Sequence, residues 1–395
     1  MMASASSFEE CCLHQCLNSA SSKVLSKSDA FVKIRAFEPD RTTPLTVVNW
    51  DRGGVAKFHY QCWDKLLEAA RQNGNAGQLR LTGAERNMVV EGAKTAEFHD
   101  ADEKVEGEAA HIAEILLNSR NCIAFTGAGI STAAGIGDFR GLDGKWTNRD
   151  KKKQYGASAS SLSTSKCSLI DLRPTYSHEA LIKLMEIGLL SFIISQNTDG
   201  LHRLSGVPPE KIAELHGNSF VEKCEKCQTR YERRFPARTN KIKCPDNPCR
   251  MCKMSHRTGR KCEKRRCDSY LMDTIIHFGD NLEDEVLKRA EFEASKADAV
   301  LILGSTLMVS PAHLLVTRGP EPHRLIICNR QVTPYDDECY KVGRDMKQLG
   351  SRVFGDCDFL MREVMKHIMP SAELQQWEKD RAERLKIYDS KRGLD

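Results

Sequence analysis

His216, in the stretch "ELHGN", is the side chain of this 395-residue sequence best suited to move a proton at neutral pH, because an unperturbed imidazole titrates at about pH 6.5. Upstream, "SQNTDG" supplies Gln196, Asn197 and Asp199, and an Asn/Asp pair can donate to and accept from a carboxamide. "TGAGIST" places Gly127 and Gly129 with Thr132 in the spacing G-x-G-x-x-small, where bare backbone approaches a pyrophosphate and a following helix N-terminus receives it. Cys224 and Cys227 in "CEKC" form a knuckle whose two thiolates can share one tetrahedral ion. The second pair for that ion is open between Cys262 with Cys267 and Cys249 with Cys252, Cys244 lying nearby. Taken singly, these stretches also read as a loop histidine, a polar turn and a tight strand-to-helix turn. The acidic ribose ligand that usually follows such a glycine loop is not evident.

Something must bring these stretches together. Four apolar runs, "CIAF", "LLSFII", "DAVLIL" and "RLIIC", end in "TGAG", "SQNTDG", "GST" and "NRQ". Continuous apolar runs of this length suit parallel strands covered on both faces, and intervening stretches such as "SHEALIKLMEIG" fit helical crossovers, so the fold class is α/β. Ligands of open parallel sheets lie beyond the carboxyl ends of the strands, so the four polar ends point at one crevice. Ile112, Ile115 and Leu116 mark a helix leading into the first run. Residues 1–100 form a separate N-terminal region with helical spacing from Trp63 through Leu66, Leu67 and Ala70. "KKKQYGASASSLSTSKCS" reads as a mobile loop, and "SAELQQWEKDRAERLKIYDSKR" as a charged C-terminal helix.

Composition narrows the class further. A chain with 40% hydrophobic residues builds a globular core, no apolar run approaches eighteen residues, and the first residues lack the order of a secretory signal. The expected setting is intracellular and reducing, where sixteen cysteines imply metal ligation rather than a disulfide framework, with zinc the first expectation. The net charge of +5 is uneven: residues 223–266 hold sixteen Lys/Arg against four Asp/Glu, leaving the rest acidic. That segment suits phosphate contact or, equally, a solvated zinc module. Cys12, Cys16, His59 and Cys62 raise a second metal question, because "HYQCW" resembles the closing half of a small zinc finger. The long gap from 16 to 59 favours ordinary helix-borne residues.

In order and approximate spacing, "GAGIS", "GIGDFRG", "SQNTDGLH", "ELHGN", the paired cysteines and "GST" resemble the sirtuin family of NAD-dependent protein deacylases over about residues 105–365. "TGRKC" followed by "DTIIHFGD" is most similar to its class IV branch, which includes nuclear, chromatin-associated members. The resemblance implies a Rossmann-like domain over 101–222 and 268–369, an inserted zinc module over 223–267, and the helix 370–395. It implies an NAD pocket of Gly127, Ala128, Gly129 and Ser131, with Asp138, Phe139 and Arg140 on a flexible covering loop. Gln196, Asn197 and Asp199 would serve the nicotinamide ribose and amide, Gly304, Ser305 and Thr306 a phosphate or ribose, and Asn329, Arg330 and Cys357 the adenosine end. It assigns zinc to Cys224, Cys227, Cys262 and Cys267.

In the reaction so implied, the acyl-lysine oxygen attacks the ribose C1′ as nicotinamide leaves, and His216 takes a proton from a ribose hydroxyl. The implied partners are an acyl-lysine protein such as a histone and, through the basic module, nucleic acid or a nucleosome, with no membrane. The implied location is nuclear, with cytoplasm second. ADP-ribosyl transfer to protein, or a weakly active NAD- and nucleic-acid-binding chromatin scaffold, is the alternative. Three departures from the family matter: Gly137 stands where proline is usual, "GST" replaces Gly-Thr-Ser, and Asp280 replaces a common Glu beside the expected peptide cleft.

Overall fold

The computed structural model describes residues 9–14, 16–17, 24–25, 29–35, 47–50, 55–72, 79–137, 168–238 and 245–394. The N-terminal region has a core of its own. Strands β1 (Glu9–Glu10) and β2 (Val24–Leu25) pair, and β3 (Phe31–Arg35) lies between β4 (Val55–His59) and β5 (Glu97–His99), all antiparallel. Alternation in β3 turns Val32 and Ile34 inward, where they join Phe58, Trp63 and Leu66. The helix Tyr60–Arg71 carries the spacing expected from the sequence. The helix Gly83–Ala93 starts at Thr82 in a reciprocal capping box with Glu85.

The central sheet is built from β6 (Cys122–Thr126), β7 (Phe192–Ser195) and β8 (Ile212–Glu214). A second sheet follows, made of β9 (Val221–Cys224), β10 (Arg230–Glu232), β11 (Arg257–Lys261) and β12 (Tyr270–Asp273). The chain then returns through β13 (Ala299–Leu303), β14 (Arg324–Cys328) and β15 (Ser351–Val353). The central order is β15-β14-β13-β6-β7-β8, parallel throughout. One face packs Cys122, Ala124, Ile193 and Leu301 with the helices Asp102–Asn118, Tyr176–Glu186 and Cys357–Ile368. The other packs Ile123, Phe125, Ile194 and Ile302 with Ala290 and Ala294 of the helix Asp284–Lys296. Covering on both faces is why these strands are uninterrupted apolar runs. The chain order runs outward from β6 to β8 on one side and from β13 to β15 on the other. The reversal between β6 and β13 opens a crevice at their carboxyl ends.

The inserted sheet, ordered β10-β9-β12-β11, spans 221–273, wider than the 223–267 expected. The C-terminal segment is two helices, Ser371–Lys379 and Arg381–Arg392, rather than one. It docks through Glu179, which is 1% exposed and takes Arg381 at 2.5 Å, Arg384 at 3.1 Å and the Tyr388 hydroxyl at 3.2 Å. The N-terminal region meets the sheet edge where Phe98 N–H donates to Arg330 O and Asp100 N–H to Phe354 O, both at 2.7 Å. Among the described residues, no helix is long and apolar enough to cross a membrane.

Candidate functional site

At the sheet reversal two loops touch. Gly127 N–H donates to Leu303 O at 3.0 Å and Gly129 N–H to Gly304 O at 2.8 Å. A Cβ on Gly127 would stand 2.6 Å from Gly304 O, and one on Gly129 2.5 Å from Gly304 Cα. Gly304 itself sits at φ +65°. The glycine spacing therefore serves first to join two strand ends, and the N–H groups of both loop glycines are already engaged. Ala128, Ser305 and Thr306 keep backbone N–H groups with no partner among the described residues.

A cavity of about 680 Å³ opens at this junction. Of the residues expected from sequence, Gly127, Ala128, Gly129, Gln196, Asn197, Gly304, Ser305, Thr306 and Asn329 line its sheet side, and Thr198 and Gln331 join them. The segment 275–282 lines the opposite side. His216 lies where the walls meet: its ring nitrogen Nδ1 is 3.0 Å from Gln196 O, and its own carbonyl accepts from Ile276 N–H at 3.0 Å. A carbonyl can only accept, so the proton sits on Nδ1 and Nε2 is left as the basic atom. Burial pushes the imidazole below its ordinary pKa, partly offset by the bond to Gln196, so the ring is neutral at pH 7. Gly217 follows at φ +82°, where a Cβ would fall 1.8 Å from Thr274 O.

Around the histidine the polar side chains hold one another. Ser305 Oγ donates to Gln196 Oε1 at 2.9 Å, while Gln196 Nε2 is buried with no partner among the described residues. Asn197 Nδ2 donates to Gly127 O at 3.0 Å. Asp199 accepts from Ser131 Oγ at 2.7 Å and Leu201 N–H at 2.8 Å. Burial raises its pKa against those bonds. Ser131 and Asp199 are not among the described lining residues and lock the glycine loop to the 196–201 turn from behind. Arg330, paired with Asp356 at 2.9 Å, and the buried Cys357, whose thiol meets Cys328 O, also lie outside that lining. Asp138, Phe139, Arg140 and the Ser-rich loop lie outside the described residues.

The choice of metal ligands resolves. The sulfurs of Cys224, Cys227, Cys262 and Cys267 lie within 4.8 Å of one another, with Cys224–Cys267 and Cys227–Cys262 both at 3.6 Å. Four converging thiols packed on Leu271 fit a closed tetrahedral zinc site. Cys249 and Cys252 belong elsewhere, beside His256 and Asp280. In the N-terminal region the set is Cys11, Cys16, His59 and Cys62, all buried, with Cys16 Sγ 3.4 Å from His59 Nδ1 and 3.8 Å from Cys62 Sγ. Cys11, not Cys12, takes part. Cys12 Sγ instead accepts from Lys57 N–H at 3.3 Å. Of the basic segment, Lys223, Arg230, Arg233, Arg238, Arg257, Arg260 and Lys261 are paired with carboxylates. Lys264, Arg265 and Arg266 are exposed, with no ion pair among the described residues.

The Sir2 family model matches residues 127–311. NAD-dependent protein deacetylase SRT1 of Arabidopsis thaliana is 38% identical over 244 residues, 61% of this chain and 47% of that protein. The chain thus spans less than half the length of this plant relative. NAD-dependent protein deacetylase sirtuin-7 of Homo sapiens is 34% identical over 321 residues, 76% of this chain and 72% of its own. A Pyrococcus abyssi NAD-dependent protein deacylase is 35% identical over 211 residues, 51% of this chain and 78% of its own. With the crevice, the histidine and the four thiols in place, these relationships establish that the chain belongs to the Sir2 family.

Proposed function

We propose that this chain is an NAD-dependent protein-lysine deacylase. The observation that carries the reading is His216, a neutral imidazole whose Nδ1–H is held by Gln196 O, set between a glycine-built crevice and a second wall. Bound NAD would supply an electrophilic ribose carbon with nicotinamide as its leaving group. The protein's own part is to bind, orient and accept a proton. The free N–H groups of Ala128, Ser305 and Thr306 meet phosphate oxygens. Gln196 Nε2, a buried donor in need of an acceptor, meets the nicotinamide-ribose end, and Asn197 stands beside it. Asn329 takes the adenosine end, with Arg330 and Cys357 behind it. Ser131 and Asp199 keep the loop in register, and His216 Nε2 accepts the proton from a ribose hydroxyl.

The acyl-lysine of a protein enters along 275–282. The names borne by the relatives support this reading. The exposed Lys264, Arg265 and Arg266 support a nuclear, chromatin-bound substrate such as a histone. The four-thiol zinc is structural, since it lies within the inserted sheet, and the buried Cys11, Cys16, His59 and Cys62 hold a second structural ion. The test is nicotinamide release from NAD with and without an acetyl-lysine peptide. Release that depends on the peptide is expected, and binding of NAD without release would leave a scaffold.

A further inference from the structure

Cys249 and Cys252 repeat, in "CRMC", the spacing of the zinc knuckle "CEKC", and the backbone repeats it too. In the zinc knuckle Gln228, the residue after the second cysteine, sits at φ +59° and donates its N–H to Cys224 O at 3.1 Å. In the other, Lys253 sits at φ +64° and donates to Cys249 O at 3.0 Å. A side-chain-bearing residue adopts that conformation at a cost, and here two do so at equivalent places. Amide-to-sulfur bonds also recur: Cys227 N–H to Cys224 Sγ in one knuckle, Met251 N–H to Cys249 Sγ and Met254 N–H to Cys252 Sγ in the other, all at 3.4 Å.

Two further ligand atoms close the second group. Cys249 Sγ is 3.1 Å from Asp280 Oδ1, Cys252 Sγ is 3.3 Å from His256 Nε2, and His256 Nε2 is 3.5 Å from Asp280 Oδ2. All four ligand atoms lie within 4.8 Å of one another. Ligands on a tetrahedral ion with bonds of about 2.0–2.3 Å stand roughly 3.3–3.8 Å apart, close to this spacing. The opposite ring nitrogen of His256, Nδ1, is 2.9 Å from a carboxylate oxygen of Asp273, whose side chain is 1% exposed. A buried carboxylate behind a ligating imidazole fixes its tautomer and turns Nε2 toward the ion.

We infer that Cys249, Cys252, His256 and Asp280 form a second metal site of the inserted module, for a zinc-class divalent cation. It differs in purpose from the first. The four-thiol site ties strands of one sheet together, whereas Asp280 belongs to the segment 275–282 that walls the cavity. The second ion clamps that wall to the 249–256 loop. Binding releases the two thiol protons to solvent, with the cation itself as the only addition.

The experiment uses the full chain as purified, alkylated with iodoacetamide with and without a zinc chelator and read cysteine by cysteine by mass spectrometry. Cys249 and Cys252 are partly exposed, so as free thiols they label promptly either way. Protection that the chelator removes is expected, and equal labelling in both arms overturns the site. In parallel, Cys252→Ser is expected to lose one equivalent of zinc while Cys224 and Cys227 remain protected. Unchanged zinc content overturns the site. Asp273→Asn, which keeps all four ligands, is expected to weaken zinc affinity roughly 10–100-fold. Resting on the deacylase reading, Cys252→Ser also raises the peptide KM and leaves the NAD KM alone. The zinc and labelling data are independent of activity, so failure of that reading is distinguishable from failure of the site.

Discussion

The two walls of the cavity are held in place by different means. On the sheet side, Gly127, Gly129 and Gly304 fit backbone against backbone, and their geometry follows from strand pairing that runs through both cores. On the module side, 275–282 leaves β12 with few backbone partners and is fixed through the side chain of Asp280 and the backbone bond of Ile276 to His216. One wall tolerates no added atom. The other depends on ligands that a chelator or a serine can remove. His216 spans the difference, with Nδ1 bonded to the sheet side and its carbonyl to the module side.

Removing that span has the largest effect. His216→Ala is expected to lower kcat/KM for peptide-dependent nicotinamide release by roughly 10²–10⁴-fold, the range of a general base, with NAD binding and thermal unfolding little changed. Turnover that persists in the variant would take His216 out of the mechanism.

Next come paired substitutions, one on each side. Gly129→Ala drives a Cβ into Gly304 backbone at 2.5 Å, where no side chain can yield, and is expected to destabilise the sheet domain by about 1–3 kcal/mol or more and to weaken NAD binding. Cys224→Ser is expected to lose one zinc and unfold the inserted sheet while NAD still binds, because much of a structural ion's binding energy is folding energy. Isothermal titration with NAD, run beside zinc analysis, separates the two. If Cys224→Ser lost NAD binding as completely as Gly129→Ala, the walls would be one unit and the comparison would fail.

What could be read from the sequence divides along the same line. β6, β7, β13 and β14 announced themselves as apolar runs because both faces of the sheet are covered. β8 and β15 did not, being three residues each and including Glu214 or the fully buried Arg352, whose guanidinium is satisfied by backbone carbonyls and Asp336. The sheet-side lining was legible as loops at strand ends. Ser131 and Asp199 were legible as polar loop residues, but their place behind the lining depends on packing. Among the cysteines, spacing found both knuckles. Cys262 and Cys267 reach the first knuckle through antiparallel pairing across many residues, which local pattern does not show, whereas His256 stands four residues after Cys252 and Asp280 comes from farther along the chain. Cys11 and Cys12 show the limit most sharply: they are neighbours of one type, and only the folded backbone decides that Cys11 is the one buried beside Cys16, His59 and Cys62.

Acid distinguishes the site from its support. Burial lowers the His216 pKa, so its neutral base persists as pH falls past the ordinary imidazole range, and the acidic limb of kcat/KM is expected below about pH 6.5. Stability behaves otherwise. His178, wholly buried under the sheet, is pushed down to about 3, with the His202 ring tilted against it at 4.8 Å and also lowered. For a histidine depressed in the folded state, the unfolded chain binds the extra proton. Stability is therefore full above the unfolded pKa of about 6.5 and is lost as pH falls toward 3, by up to about 1.4 kcal/mol per pH unit for His178. Thermal unfolding followed from pH 7.5 to 4.5 is expected to show Tm falling below pH 6.5, and a flat Tm would mean these rings are not held neutral.

The smallest effect sharpens the comparison within the sheet wall itself. Gly129 and Gly137 both follow β6, yet among the described residues a Cβ on Gly137 meets nothing within 4 Å, and its φ lies outside the left-handed region that favours glycine. Glycine there supports no close approach. It adds freedom to the unfolded chain just ahead of Asp138, Phe139 and Arg140. Gly137→Ala removes part of that freedom without a clash, a change worth about 0.4–1 kcal/mol where the backbone is compatible. If the loop must order over bound NAD, the gain appears as a two- to fivefold lower KM for NAD at unchanged peptide KM. The same assay on Gly129→Ala gives the opposite sign. Should Gly137→Ala raise the KM for NAD instead, the freedom at 137 would itself be required for the cofactor to enter.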